Sequence, residues 1–160
     1  MKPLAIFLLV LCLVALAGVG WLYLNSEFDV TFSSCVAVDA ADAGAQFSSL
    51  KSDLEQDCFA GTRFSDALPG DADQYQFLTY TLHLQNRTAL PAQAVEVQIT
   101  PMAEDVLQLN ASDEVSLLSG ASRDLTVTIL TAKSSQNIRE ATITYYFWGL
   151  PFSVRITCAR

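Results

Sequence analysis

His83 is the only histidine in the chain, so a Ser/His/Asp or Cys/His site would have to be built on it. Its neighbours argue for a different role. Leu78, Tyr80, Leu82 and Leu84 alternate with Thr79, Thr81, His83 and Gln85, which places the imidazole on the polar face of a strand. Carboxylates are the next source of chemistry. Asp39, Asp42, Asp53, Glu55, Asp57, Asp71 and Asp73 could supply the acid and base of a glycosidase, but among so many acids spacing selects no pair. Asp71-Ala-Asp73 lacks the further oxygens and the glycine of a calcium loop, and no glycine-rich phosphate loop is present. Three scattered thiols and one imidazole are too few for a zinc site. The expectation is a chain that is not an enzyme and has no cofactor, no metal and no small-molecule ligand.

Four cysteines are present, one of them, Cys12, inside a long apolar run. Cys35, Cys58 and Cys158 lie beyond it, and an odd number allows one bond plus a thiol, an intermolecular bond, or none. Cys58 continues Phe47, Leu50 and Leu54 at helical spacing, and Cys158 continues the alternation Phe152, Val154, Ile156, so both point toward a core. Cys35 is out of phase with Phe28, Val30 and Phe32 unless Ser33-Ser34 forms a bulge. Facing favours Cys58–Cys158, the shorter closed loop favours Cys35–Cys58, and both stay open. The densest aromatic cluster is Tyr145-Tyr146-Phe147-Trp148 with Phe152. A strand sends Tyr145 and Phe147 to the core and Tyr146 and Trp148 outward, or the reverse, so one pair is available at the surface. An outward aromatic pair anchors interfaces, so Tyr146 and Trp148 are the candidate contact residues.

The element that positions all of this is residues 4–24, LAIFLLVLCLVALAGVGWLYL, which carry no charge. As a helix they would span about 31 Å, close to the roughly 30 Å hydrocarbon core of a bilayer. Ala15-Leu16-Ala17 could be a signal-peptide cleavage site, yet Val19, Trp21, Leu22 and Leu24 keep the following segment apolar, which argues for an uncleaved anchor. Lys2 before the span, with Glu27 and Asp29 after it, puts the N-terminus in the cytoplasm and the bulk outside; Trp21 and Tyr23 suit the outer aromatic belt. Leu11 before Cys12 excludes a lipoprotein signal. The architecture resembles a type IV pilin, but Lys2-Pro3 precedes the helix and no glutamate lies inside it.

Beyond residues 1–25, the signal-anchor, residues 26–160 are enough for one extracytoplasmic domain with a proper core. The balance of 9 basic against 17 acidic side chains excludes a nucleic-acid surface and suits a soluble head. Residues 28–38 alternate as a first strand. Residues 39–73, with eight acids against Lys51 and Arg63, read as an insertion. Within it residues 46–59 carry a helical apolar stripe, followed by a loop through Gly61 and Leu68-Pro-Gly-Asp71. The helix either closes one end of a sandwich or docks a partner. From Gln74 the period is two, with turns at Asn86-Arg-Thr88, Thr100-Pro101, Asn110-Ala-Ser-Asp113, Ser119-Gly-Ala-Ser122 and Trp148-Gly-Leu-Pro151. About eight short strands at this turn spacing predict a mainly β immunoglobulin-like sandwich with one short helical insertion after a single transmembrane helix. Asn86-Arg-Thr and Asn110-Ala-Ser also match the glycosylation sequon.

The order Tyr80-Thr-Leu-His-Leu-Gln-Asn86-Arg-Thr, Val95-Glu-Val-Gln-Ile99, Leu118-Ser-Gly-Ala-Ser122 and Leu125-Thr-Val-Thr-Ile129 carries a resemblance. It is similar to the immunoglobulin-like domains of bacterial envelope proteins of the FxLYD type, although the FxLYD signature itself is absent. It also resembles the sandwich of the late-embryogenesis-abundant type 2 family. The likeness covers about residues 75–131 and implies a binding or structural module without catalytic residues. The combined expectation is a single-pass cell-membrane protein, held in lipid by residues 4–24, whose head binds a protein partner in or at the same membrane or assembles a surface complex. The alternative is a pilus-like or secretion-system subunit that assembles through its N-terminal helix.

Overall fold

The computed structural model describes residues 2–24, 28–109 and 115–159. Lys2–Leu24 forms one helix, α1, whose segment Pro3–Trp21 has a mean hydropathy of 2.7 and is not buried by the rest of the chain. It is long and apolar enough to cross a membrane. The side chains of Lys2 and Tyr23, the acid Glu27 and the Asn110 sequon lie outside the described residues.

The head is a two-layer sandwich of nine described strands, every pairing antiparallel. The first sheet has the order β1 (Phe28–Asp39), β3 (Tyr75–Asn86), β7 (Ser122–Ala132), β5 (Asp105–Leu109) and β2 (Gly61–Arg63). The second has the order β6 (Val115–Leu117), β4 (Ala92–Ile99), β8 (Arg139–Phe147) and β9 (Leu150–Cys158). The alternation predicted from Leu78 to Gln85 holds: Leu78, Tyr80, Leu82 and Leu84 are buried between the layers, and the intervening residues are turned away. Val95, Ile99, Leu125, Val127, Ile129, Ile143 and Tyr145 meet them there.

Two elements depart from the sequence expectation. The helix α2 runs Gly44–Glu55, shorter than residues 46–59, and it does not close an end of the sandwich. Its stripe Phe47, Leu50 and Leu54 packs with Phe77, Leu107 and Leu130 on the outer face of the first sheet. The cause is visible in β3: Phe77 breaks the polar alternation on that face and offers an apolar seat. Gly61 lies in a short strand, not a loop. A Cβ there would meet the Gln108 carbonyl oxygen at 2.5 Å, so only glycine lets β2 approach β5.

Polar contacts between the layers fix how they sit. Arg139 and Asp105 form an ion pair at 2.7 Å with both side chains wholly buried. The Arg139 guanidinium also donates to Ser135 Oγ at 2.6 Å, to the Ile138 carbonyl and to the Gln136 carbonyl, while Asp105 accepts from the Met102 N–H. Gln108 of β5 reaches across to β4, donating to Val97 O and accepting from Ile99 N–H. β6 pairs with β4 only at Ala92 and Val95, so Gln108 completes the β4 backbone where β6 has ended. Removing one member of a buried ion pair strands the other charge. Asp105→Ala is therefore expected to cost about 3–5 kcal/mol in urea unfolding, with the apolar double variant Asp105→Leu/Arg139→Met recovering most of it. Equal stability of the single and double variants would contradict this account.

Candidate functional site

The aromatic residues singled out in the sequence gather at the end of the sandwich where the chain enters from α1. Phe28, the first residue of β1, stacks on Tyr145 with ring centroids 4.3 Å apart. Tyr145 meets Phe147 edge-on at 5.3 Å and stacks with Phe152 at 5.9 Å. Tyr145 and Phe147 are buried, Tyr146 is half-buried on the opposite face, and Trp148 is 70% exposed. Thus the outward pair is Tyr146 and Trp148.

Trp148 and Gly149 form the two-residue turn between β8 and β9, with φ of 50° and 79°. Positive φ at both positions is the mirror-image turn that suits strand twist, and it favours Asn-Gly. A bulky aromatic in the left-handed region is uncommon and costs on the order of 1 kcal/mol. Local folding therefore gains nothing from a tryptophan here. Leu150 on the other limb is 50% exposed. With Val19 of α1, Leu90, Phe147, Pro151 and Phe152, these two residues line an apolar hollow of about 210 Å³. Leu118, on the turn before β7, is 69% exposed.

Asn86 explains how two loops hold together at this end. It is fully buried, and its side-chain amide donates to the carbonyls of Leu90 and Leu117 at 2.7 and 3.0 Å, and to that of Leu118 at 3.3 Å. Its Oδ1 accepts from the N–H and hydroxyl of Thr88, and its backbone bonds Ala121 and Gly120. The two turn motifs, Asn86-Arg-Thr88 and Ser119-Gly-Ala-Ser122, are one polar hub. An amide nitrogen so engaged is no glycosylation acceptor in the folded head.

The other candidates separate. His83 Nδ1 lies 2.6 Å from Asp124 Oδ1, its cross-strand partner, with both side chains about half exposed or more. This is a surface pair on the polar face, and the apolar hollow contains no histidine. Asp39 pairs with Lys133 at 3.0 Å, and Asp57 lies 3.9 Å from Arg63. Among the described residues, no three His, Cys, Asp or Glu side chains converge to hold a metal.

None of the four cysteines is in a disulfide in this structure. Cys58 does not point into the core as its spacing suggested, because α2 ends at Glu55 and Asp57 turns the chain at φ 54°. Cys58 is exposed, its thiol 3.9 Å from Asp53 Oδ1, so neither pairing that used it is supported. The register of β1 shifts between Phe32 and Ser34, which is the bulge that brings Cys35 into phase with the core.

No known protein family matches the chain, and no curated protein matches it. Among solved structures it is similar to a FixG-related protein from Vibrio parahaemolyticus at 9% identity, covering 82% of this chain and 93% of that one. The TM-score is 0.38, too slight a likeness to carry a functional argument.

Burial sets a pH limit on this head. The Cys158 thiol is pushed from 9.0 up to about 11, chiefly by desolvation and then by Cys35. Burial likewise holds the Tyr80 phenol well above its usual range. Both groups stay protonated in the folded state at a pH where the unfolded chain ionises, so the unfolded state binds fewer protons and stability falls as pH rises. For the reduced protein, the Cys158 contribution to the urea midpoint is expected to be constant below pH 9 and to be lost between pH 9 and 11. The decline belongs first to Cys158, and Cys158→Ala should flatten its early part. A midpoint that rises over this range would contradict the assignment.

Proposed function

We propose that this chain is a single-pass, membrane-anchored protein whose non-catalytic β-sandwich head binds a protein partner in the same membrane, through the apolar loop end beside α1. The observation that carries this reading is Trp148. It stands exposed at a turn whose backbone favours asparagine, and it shares one apolar hollow with Val19 of the anchor helix. Tryptophan is the residue type most enriched at binding hot spots, and an exposed apolar patch on a soluble domain marks an interaction surface. Leu150 and Leu118 extend the patch over a second limb and a second loop. Tyr146 lies on the outward face next to it.

A protein partner fits the chemistry better than the lipid surface alone. The chain carries a net charge of −8, which repels anionic head groups. The apolar end starts at Phe28, four residues after Leu24, and its hollow reaches Val19 inside the span, so on this reading the patch lies at the outer edge of the bilayer, where a neighbouring membrane protein can pack. The N-terminus lies in the cytoplasm and the head outside on this reading, as the flanking charges favour. The motifs of residues 75–131, whose sequence resembles that of envelope binding modules, favour a role without catalysis on this reading.

A photo-crosslinking phenylalanine analogue placed at position 150 of the full chain, in native membranes, tests the proposal. A discrete protein adduct is expected from position 150 and none from position 31 on the polar sheet face. Trp148→Asn should lower the adduct yield at least several-fold while stabilising the head by about 1 kcal/mol. Adducts with lipid alone, or a yield indifferent to Trp148→Asn, would overturn the reading.

A further inference from the structure

Cys35 and Cys158 sit on strands that run side by side in the same direction. β1 is the edge of the first sheet and β9 the edge of the second, and the two approach within 8 Å between Cα atoms. The Phe28–Tyr145–Phe152 stack puts the two strands in step near their starts. From Phe152, Cys158 is six residues on, on the same face as Val154 and Ile156. From Phe28, Cys35 is seven residues on, and the bulge after Phe32 removes one step. Both sulfurs therefore lie about 20 Å beyond the aromatic stack, at one level and on the inward face.

Tyr80 gives a second, independent measure. It is the ladder partner of Cys35, so the two share a face, and its hydroxyl donates to Asn137 O at 3.0 Å. Asn137 lies two residues before Arg139, the ladder partner of Cys158. The Tyr80 side chain thus bridges from β3, the neighbour of the Cys35 strand, to the loop before β8, the neighbour of the Cys158 strand. Both thiols bear on the Tyr80 hydroxyl, and Cys35 also bears on Cys158. Cys158 is 1% exposed and Cys35 is half-buried against the same core.

We infer that Cys35 and Cys158 are a redox pair that closes to a disulfide across the seam between the two sheets, by exchange with a disulfide-bearing oxidant. The half-buried Cys35 thiolate attacks one sulfur of the oxidant, forming a mixed disulfide and expelling one thiolate. Cys158 loses its proton and attacks the Cys35 sulfur; the Sγ–Sγ bond forms and the second oxidant thiolate leaves. Two electrons pass to the oxidant, and the two cysteine protons end on its two thiols. The order follows from access, because the buried Cys158, with its raised pKa, reacts only once its partner is in place. The bond encloses residues 35–158, nearly the whole head, and ties together two edge strands joined by no ladder bonds.

The test uses the full chain in detergent micelles, oxidised with glutathione disulfide and compared with the reduced chain, so it does not depend on where the head resides or what it binds. Peptide mapping after alkylation is expected to show Cys35 joined to Cys158 and Cys58 alkylated. The melting temperature of the head should rise by roughly 10 °C on oxidation. Cys58→Ser should keep both the bond and the rise, and Cys35→Ser should lose both. The wild-type map decides the matter even where Cys35→Ser fails to fold. A bond from Cys58 to either partner, a glutathione adduct that persists on Cys35, or both thiols still open to alkylation would overturn the inference.

Discussion

The ion pair of Arg139 and Asp105 governs how the two sheets of this protein meet. Two charges withdrawn completely from water are tolerable only when every donor and acceptor is matched. Here the match draws on Met102, Ser135, Gln136 and Ile138, so the loops before β5 and before β8 are both committed to one geometry. Asp105 belongs to the first sheet and Arg139 to the second. A slip of either strand by one residue would turn its charge toward the wrong face and leave the other unpaired. Tyr80 and Gln108 add further cross-layer bonds. Apolar burial drives the layers together, but it is non-directional, and these polar contacts choose the register.

The two ends of the sandwich consequently differ in character. The end that holds Arg139 is closed by charge-assisted hydrogen bonds. The end next to α1 is held from within by Asn86 and presents apolar side chains outward. A buried asparagine amide can fix two loops at once because it offers two donors and an acceptor in one rigid plane. With the loop backbone satisfied inside, the side chains of Leu118, Trp148 and Leu150 remain exposed. They are available for contact, and the backbone of Trp148 is held in a conformation that its own side chain disfavours.

Much of this was legible in the residue order. The strand alternation from Leu78 to Gln85 placed its faces correctly, and that from Ile143 to Phe147 separated two faces without saying which is inward, because a period of two survives any tertiary arrangement. The hairpin read at Trp148-Gly149-Leu150-Pro151 was legible too, although its turn is only Trp148-Gly149 and β9 already begins at Leu150. The bulge at Ser33-Ser34 could only be posed as a condition on Cys35, since a single extra residue leaves no compositional mark. Cys58 misled because a helical stripe does not announce where its helix ends. The helix α2 was found but misplaced, as its apolar face matches any apolar seat, and Phe77 became one only when Leu107 and Leu130 gathered beside it. Arg139 and Asp105 gave no signal at all: they are 34 positions apart, and each alone reads as an ordinary surface charge.

The sequence by itself determined the apolar helix, the mainly β head, the two faces of most strands, and the alternation that parts Tyr145 and Phe147 from Tyr146 and Trp148. These follow from patterns within a dozen residues, where covalent geometry fixes the spacing. Tertiary structure alone decided which sheet each strand joined, that Asn86 and Gly120 share one hub, that Val19 lies beside Trp148, and that Cys35 stands level with Cys158. Such pairings depend on which distant segments come together, and a chain pattern carries no distance between residues that are far apart in sequence.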